Sequence, residues 1–434
     1  MKRLSKLPLA AASILLATTV SMVATTTGSA ISLPTTAGNG FSPAWVGSWA
    51  AATTAAEAAG SSHNGFTNQS VRMIVHLSLG GDRVRIRLSN AFGLSTLALG
   101  HATVAKQAAG GTSVSDIDPT TLHDLTFQGQ TSTNILVGDE LLSDPVAMHV
   151  DNLSNLVVTV FLPNATGPVT WHAISVENTF IGPGDLTAAP TAASFPTVKA
   201  CCWYFLSGVD VARTLPNNSV VVLGDSLADG SGNTLNANAN WPDDLARRLI
   251  GQTGPLAESV LNESLAGNRL NHEGTEPGAG GFPGLVQLGT NTASRLPASL
   301  FAQNHPRTVL LALGINDIWI SDDSSAAIIA TLRRVAADVR EHGMRVVVGT
   351  LGPFQNFDTP DQIWTPEKEA NRNAVNNFLR TSHDFDGVVD FDSVLRDPAN
   401  PAALRADFDS GDGIHPNDAG SQAMANAIPL NLLY

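Results

Sequence analysis

Ser226 occupies a position where a serine can act as a nucleophile. The apolar segment Val220-Val-Val-Leu223 is typical of a buried β-strand and runs directly into Gly224-Asp225-Ser226-Leu227. Functional side chains in open parallel sheets collect at the carboxyl ends of the strands, so we expect the Ser226 hydroxyl to face a substrate. An ordinary turn before a helix is the alternative for the same four residues.

A serine hydroxyl is a poor nucleophile without a base, and that base needs an acceptor on its second nitrogen. The chain has eleven histidines, and His415 alone follows a carboxylate by three residues, in the glycine-containing turn Asp412-Gly-Ile-His415. One tight loop can hold those two side chains side by side. We interpret His272, His305 and His383 as surface or packing residues.

Acyl transfer through a serine also creates an oxyanion, which needs fixed hydrogen-bond donors. Gly267 follows the predicted strand near residues 258–261, and glycine lets a backbone N–H approach a ligand closely. Asn316 follows the apolar segment 309–313 and can donate from its side-chain amide. Each fragment taken singly also fits an ordinary strand-to-helix turn. Their shared place after predicted strands favours the functional interpretation.

Metal chemistry is the weaker alternative. The spacing of Asp407, Asp409 and Asp412 departs from that of an EF-hand calcium loop, and neither H-E-x-x-H nor paired C-x-x-C motifs occur. The G-x-S-x-G elbow of α/β-hydrolases is not satisfied because residue 228 is alanine. We expect no metal and no cofactor.

Short apolar segments alternate with segments of helical spacing from residue 219 onward. The apolar segments lie at 220–223, 309–313 and 346–348. The residues that share one face of an intervening helix are Ile328, Leu332, Val335 and Val339. Strands buried on both faces and alternating with helices predict a parallel sheet with helices on each side.

In their order along the chain, these fragments resemble the four sequence blocks of the SGNH hydrolases, also called the GDSL esterase and lipase family. The matching fragments are Gly224-Asp225-Ser226-Leu227, Gly267, Gly314-x-Asn316-Asp317 and Asp412-x-x-His415. The resemblance covers about residues 219–427 and implies a three-layer α/β/α sandwich with a central parallel sheet. It also implies that Ser226 is the nucleophile, His415 the general base and acid, and Asp412 its orienting partner. The implied oxyanion hole consists of the Ser226 and Gly267 N–H groups and the Asn316 amide.

Residues 31–205 are predicted to form a β-rich accessory domain ahead of a catalytic domain over residues 206–434. Apolar and polar residues alternate over 71–79 and again over 84–88, which predicts a hairpin with one buried face. We expect Arg85 and Arg87 to lie on its solvated face. Recurrent short apolar runs favour a β-sandwich or jelly-roll-like module. The segments 45–49 and 84–92 also resemble the N-terminal extension of a secreted subset of the same family.

The first 30 residues have the order of a secretory signal peptide. Three cations, at Lys2, Arg3 and Lys6, precede an apolar stretch over 7–24 and a small-residue segment that ends at Ala30. A membrane anchor is the alternative. We therefore expect a secreted, extracellular protein without stable membrane insertion after cleavage.

Cysteine content and charge restrict the partners. Cys201 and Cys202 are the only cysteines, and two reduced, buried thiols are favoured over a bond between neighbours.

Of the 434 residues 43% are hydrophobic, enough for a sizeable core. The formal net charge is −14, which disfavours a nucleic-acid partner because phosphate binding depends on clustered cations. The oligomeric state is left open.

The expected function is that of a serine esterase that hydrolyses carboxylic esters through an acyl-enzyme. The expected substrates are acetyl esters of polysaccharides or short-chain acyl esters, and Trp241, Trp319 and Trp364 are candidates to line the cleft. Two alternatives stay open: a lipase or lysophospholipase type of acyl hydrolase, and a secreted glycan-binding protein with a non-catalytic hydrolase scaffold.

Overall fold

The computed structural model describes residues 44–215, 217–357 and 364–434. The predicted signal peptide over residues 1–30 lies outside this part of the chain. All described residues belong to one compact unit, in which an antiparallel β part precedes a parallel α/β part.

The β part consists mainly of short strands and one short helix. In chain order these are β1 (Ala44–Ala50), α1 (Ser61–Asn64), β2 (Gln69–His76), β3 (Arg83–Ser89), β4 (Leu97–Leu99), β5 (His101–Lys106), β6 (His123–Asp124), β7 (Thr133–Ile135), β8 (Glu140–Leu142), β9 (Asn155–Leu162), β10 (Trp171–His172), β11 (Thr179–Pro183), β12 (Thr197–Lys199), β13 (Trp203–Tyr204) and β14 (Leu206–Arg213).

Two antiparallel sheets share one core in the β part. One sheet has the order β1-β14-β3-β8, and the other has the order β12-β11-β2-β9-β5-β6. Val84 and Ile86 of the first sheet and Met73 and Val158 of the second are fully buried in the same hydrophobic cluster. Two sheets that bury their inner faces against each other form a β-sandwich, as predicted.

The predicted hairpin between residues 71–79 and 84–88 is wrong. Strand β2 pairs with β9 and β11, whereas β3 pairs with β14 and β8. The intervening turn therefore carries the chain from one sheet to the other. Its backbone is closely packed, because a Cβ on Gly80 would lie 2.2 Å from the Val150 carbonyl oxygen. Alternation predicts that each strand buries one face, but it does not identify the neighbouring strand.

The prediction that Arg85 and Arg87 lie on a solvated face of the sheet is also wrong. Arg85 and Arg87 are half-buried and lie 2.9 and 3.7 Å from the carboxylate of Asp210. Arg72 on β2 is fully buried and donates to the Thr159 hydroxyl at 2.9 Å. All three side chains thus have partners inside the protein, and Arg87 also donates to Gln303 of the α/β part at 3.4 Å.

The α/β part alternates strands and helices. In chain order these are β15 (Ser219–Gly224), α2 (Ser226–Asp229), α3 (Trp241–Thr253), β16 (Ser259–Asn262), α4 (Thr292–Leu296), β17 (Pro306–Ala312), α5 (Ile315–Trp319), α6 (Ser325–Glu341), β18 (Arg345–Gly349), α7 (Pro366–Thr381), β19 (Gly387–Val389), α8 (Phe391–Leu395) and α9 (Asp418–Ala427).

The five strands of this part form one parallel sheet with helices on both faces. The sheet has the order β16-β15-β17-β18-β19. Val222 of β15 packs in the same cluster as Leu245 of α3, whereas its neighbour Val221 packs in a second cluster with Leu332 of α6. Successive side chains of one strand thus enter opposite layers. The predicted three-layer α/β/α sandwich is confirmed.

The β part covers one edge of the parallel sheet. The backbone N–H of Val260, on edge strand β16, donates to the Ser78 hydroxyl at 3.2 Å. A Cβ on Gly47 of β1 would lie 2.8 Å from the Leu261 side chain. Such coverage removes an exposed edge that could pair with another chain.

Strand β14 pairs with β1 and β3 in the antiparallel sheet as far as Arg213. The division into two domains between residues 205 and 206 stays a prediction.

Within the described ranges, no helix combines the length and hydrophobicity required to cross a bilayer.

Candidate active site

Three neighbouring strands lead to the predicted functional residues. Strand β15 ends just before Ser226, β16 leads to the loop of Gly267, and β17 leads to Asn316. The chain proceeds from β15 to β16 on one side and then crosses to β17 on the other side. Ligands of open α/β sheets bind at the carboxyl ends of the strands where the strand order reverses in this way.

The helix that follows β15 begins at Ser226. Asp225 caps this helix, because its Oδ1 accepts the backbone N–H of Leu227 at 3.1 Å. Burial raises the pKa of Asp225 to about 7. The cap fixes the turn from which the Ser226 hydroxyl projects into the site.

Ser226, His415 and Asp412 form a continuous hydrogen-bonded chain. The Nε2 atom of His415 lies 2.9 Å from the Ser226 Oγ, and its Nδ1 atom lies 2.5 Å from the Asp412 Oδ2. A carboxylate only accepts, so Nδ1 carries the hydrogen and Nε2 faces the hydroxyl as an acceptor. In this arrangement an imidazole can take the proton of a serine.

Backbone donors keep the Asp412 carboxylate ionised. Its Oδ1 accepts the N–H groups of Ile414 at 3.1 Å and His415 at 2.9 Å. Partial burial opposes the charge, but the hydrogen bonds from the His415 ring and from these N–H groups lower the pKa of Asp412 to about 2. Asp412 is therefore an anion at neutral pH and can stabilise a protonated His415.

The predicted oxyanion donors lie around the same cavity as Ser226. Gly267 has a φ of +74°, and a Cβ there would lie 2.3 Å from the Leu288 Cδ2 atom, so the position favours glycine. The Asn316 amide donates one hydrogen to the Asn268 carbonyl at 3.2 Å, which leaves its second hydrogen for a ligand. The Ser226 N–H belongs to the first turn of α2, where N–H groups have no partner within the helix.

Asp317 holds two of these loops together. Its fully buried carboxylate accepts the N–H groups of Leu270, at 2.9 and 3.0 Å, and Asn271, at 3.0 Å. Burial raises its pKa to about 6, against the opposing effect of these donors. The loop after β16 is thereby fastened to α5, which places Gly267 relative to Asn316.

A cavity of about 590 Å³ adjoins Ser226 and His415, and both parts of the chain line it. Apolar side chains of the α/β part that line it are Leu265, Phe282, Leu288, Trp319, Phe357 and Ile414. Lining residues from the β part include Trp171, Ile174, Lys199, Cys201 and Cys202. The volume suits a small organic ligand. Sequence reasoning missed the β-part wall because its residues are far in sequence from every motif.

The three tryptophans proposed for the cleft separate in the structure. Trp319 lines the cavity. Trp241 is fully buried and packs on Phe391, with ring centroids 5.4 Å apart. Trp364 packs against the second hydrophobic cluster, the one that contains Val221 and Leu332. The latter two are packing residues.

Cys201 and Cys202 are joined to each other by a disulfide bond. This finding corrects the interpretation of two reduced thiols. Both residues line the cavity, and Cys202 is fully buried. The disulfide is therefore part of the apolar wall that the β part contributes.

The site combines a serine hydroxyl, an imidazole, a carboxylate and hydrogen-bond donors around one cavity, and this set of groups is chemically suited to acyl transfer. In the portion of the chain that the structure describes, no group of three or more His, Cys, Asp or Glu side chains is arranged to hold a metal ion.

Comparison with known proteins places the α/β part in a family. No curated protein matches the chain significantly. Among solved structures, the chain is similar to a GDSL-like lipase from Bacteroides thetaiotaomicron, with 13% identity over 50% of this chain and 87% of that chain and a TM-score of 0.35. It is also similar to the psychrotrophic esterase EstA from Pseudoalteromonas sp., with 16% identity, coverage of 49% and 94%, and a TM-score of 0.34. A family two carbohydrate esterase from Cellvibrio japonicus has 14% identity, coverage of 88% and 93%, and a TM-score of 0.34.

The sequence itself carries the assignment. Residues 222–423 match the model of the GDSL-like lipase/acylhydrolase family, which confirms the resemblance found in the four sequence blocks. Residues 222–423 are therefore a GDSL-like lipase/acylhydrolase domain, and this match supports a carboxylic ester hydrolase.

Proposed function

We propose that this protein is a secreted serine esterase that works through an acyl-enzyme on Ser226. The observation that supports it most directly is the hydrogen-bonded chain from the Ser226 Oγ through His415 to Asp412, with distances of 2.9 and 2.5 Å. Ser226 attacks the ester carbonyl carbon while His415 takes its proton. The resulting oxyanion is received by the N–H groups of Ser226 and Gly267 and by the Asn316 amide.

Three further proton transfers by His415 complete the reaction. The imidazolium gives its proton to the leaving alcohol, and the acyl group stays on Ser226. Water then attacks the acyl carbon with His415 as base, and the Ser226 oxygen recovers the proton as the acid leaves. Asp412 keeps Nδ1 protonated and stabilises the imidazolium in both steps without taking the proton itself.

Substitution of the nucleophile tests this mechanism. Ser226→Ala is expected to lower kcat on a p-nitrophenyl ester by about 10⁴-fold or more, because no other hydroxyl is hydrogen-bonded to His415 among the described residues. Ser231→Ala, which removes another serine from the lining of the same cavity, is the matched control and should keep turnover near the parent level. A folded Ser226→Ala protein with parent turnover would contradict the mechanism.

The cavity lining favours short-chain acyl esters over acetylated polysaccharide. Its walls are mostly apolar and include the rings of Trp171, Phe282, Trp319 and Phe357. Such walls bind methylene groups, since each buried methylene contributes about 0.8 kcal/mol. Polar lining residues such as Glu57, Ser61 and Gln287 are fewer than the apolar ones, so a sugar chain would leave many of its hydroxyl groups against apolar walls.

A substrate series distinguishes the two classes. We expect kcat/KM for p-nitrophenyl butyrate to exceed that for the acetate by about tenfold, because two more methylenes are buried. Acetylated xylan and pectin are assayed beside them as acetyl donors. Faster release of acetate from either polysaccharide than of butyrate from its ester would reverse the preference.

We also propose that the protein acts outside the cytoplasm. The order of cations, apolar stretch and small residues over positions 1–30 supports export. The Cys201–Cys202 disulfide agrees with an oxidising compartment. Amino-terminal sequencing of protein recovered from the culture medium tests this, and an intact Met1 with all enzyme retained in the cells would contradict it.

A further inference from the structure

A buried histidine of the β part is held as a cation next to the active site. His172 on β10 is 1% exposed, and its Nδ1 lies 2.8 Å from the Ala52 carbonyl oxygen. Its Nε2 lies 2.8 Å from the Ile174 carbonyl oxygen and 2.9 Å from the Asp229 Oδ1. Carbonyl and carboxylate oxygens are acceptors only, so both ring nitrogens must donate. A ring that donates from both nitrogens is an imidazolium.

The surroundings stabilise that charge. The ring packs on the indole of Trp203, with centroids 5.2 Å apart, where the aromatic face favours a cation. Burial by itself favours the neutral ring, but the charge of Asp229 and the hydrogen bonds from the ring raise the pKa of His172 to about 9. His172 is therefore protonated at neutral pH.

Asp229 connects this cation to the oxyanion donors. It is the last residue of α2, the helix that begins at Ser226. One of its oxygens binds His172, and the other accepts the backbone N–H of Ala266 at 2.9 Å. Ala266 immediately precedes Gly267, so the same backbone segment carries the predicted oxyanion donor. Asp229, Ala266 and Gly267 all line the cavity.

We propose that His172 is a positioning residue for ester hydrolysis: it orients Asp229, and Asp229 holds the Ala266–Gly267 backbone so that the Gly267 N–H points at the reacting carbonyl oxygen. The inference rests on the proposed function, because it assumes that Ser226 is the nucleophile and Gly267 an oxyanion donor. It gives the β part a role in the chemical step through one ion pair across the contact between the two parts.

The test uses His172→Gln and Asp229→Asn in the full chain. Each active site is counted by complete reaction with a chromogenic phosphonate, so that any misfolded fraction is removed from kcat. We expect kcat per active site to fall by about 10- to 100-fold, because a small displacement of a catalytic group has an effect of this size, while KM stays within about threefold. The rate of phosphonylation should fall by a similar factor, since its transition state also places charge in the oxyanion hole.

A double variant and a control separate positioning from general stability. If the two residues act as one unit, His172→Gln/Asp229→Asn should lose no more kcat than the worse single variant. Ser78→Ala breaks another hydrogen bond between the β part and the α/β part, at Val260, and should leave kcat per active site unchanged. Melting temperatures are measured for every variant.

The outcomes distinguish the inference from the proposed function. Parent kcat per active site in either folded single variant, or multiplied losses in the double variant, would overturn the positioning role. If His172→Gln does not fold, kcat per active site of the nearly isosteric Asp229→Asn variant decides whether the positioning role holds. Retained turnover in Ser226→Ala would instead refute the proposed function, whatever the His172 result.

Discussion

Two histidine–carboxylate pairs in this protein differ in what surrounds them. His415 and Asp412 are partly accessible, and the second nitrogen of His415 faces a hydroxyl, so this imidazole can exchange a proton with a substrate. His172 and Asp229 are buried, and every atom that His172 contacts through nitrogen is an acceptor. The first pair is built to transfer a proton and the second to retain one.

The retained proton predicts a pH dependence of stability. The folded pKa of His172, about 9, lies above its unfolded value of about 6.5, so the native state binds the proton more tightly. This contribution is complete below about pH 6.5 and is lost as pH rises through about 9. The parent should therefore lose up to about 3 kcal/mol more than His172→Gln in its free energy of unfolding between these pH values.

Urea unfolding of both proteins at about pH 6 and pH 9.5 measures this difference. Burial also raises the pKa values of Glu177 and Glu263 to about 8, but these groups contribute equally to both proteins. The difference between the two proteins in the pH dependence of their free energies of unfolding therefore reports the contribution of His172. Parallel slopes would show that the ring is neutral in the folded protein.

At the scale of elements, the junctions between strands and helices determine the site. The loop after β16 can approach Ser226 because Gly267 has a positive φ and no side chain, with Leu288 packed where a Cβ would be. Asp317 at the start of α5 then ties this loop to the next one. The parallel sheet brings the ends of its strands to one edge, and the loops that follow the strands carry the hydrogen-bond donors of the site.

Gly267→Ala tests the importance of this junction. The methyl group must displace Leu288 and adopt a strained φ, so we expect a loss of about 1 kcal/mol or more in stability and a fall in kcat of about tenfold or more. Gly251→Ala, on the exposed face of α3 with no atom near the new Cβ, should instead stabilise the protein by about 0.5 to 1 kcal/mol. Chemical denaturation and steady-state kinetics measure both. Unchanged kcat in Gly267→Ala would remove this loop from the oxyanion hole.

At the scale of the molecule, the β part and the α/β part share one interior. Residues from β1 and β14 and residues from β15 and α3 belong to the same hydrophobic cluster, which includes Val46, Val211, Val220 and Leu245. The β part also covers the edge of the parallel sheet and closes one side of the cavity. Neither part could lose its fold without exposing the buried surface of the other.

Cooperative unfolding is the expected consequence. Scanning calorimetry of the full chain should show one transition in which the calorimetric and van't Hoff enthalpies agree, because the shared cluster couples the two parts. Tryptophan fluorescence and far-ultraviolet circular dichroism should give the same midpoint. Two separate transitions would show that the parts unfold independently.

Much of the fold follows from local patterns. The predicted strand at 220–223 lies within β15, and the face of Ile328, Leu332, Val335 and Val339 is the buried face of α6. Those predictions needed only the periodicity of burial, which is a property of neighbouring residues. The hairpin prediction failed at residues 80–82 because strand pairing depends on contacts between distant segments. Arg85 and Arg87 were misjudged for the same reason, since their partner Asp210 comes from a distant strand.

The sequence by itself determined which chemistry was available: a serine after a buried strand, an aspartate and a histidine in one turn, and a glycine and an asparagine after two further strands. Those residues could be identified because each sits in a short segment whose local pattern predicts its structure. Only the tertiary structure decided that Trp171 and the Cys201–Cys202 pair form a wall of the cavity and that His172 meets Asp229. These contacts join segments far apart in the chain, and no local pattern encodes which distant surfaces become neighbours when two parts bury a common core.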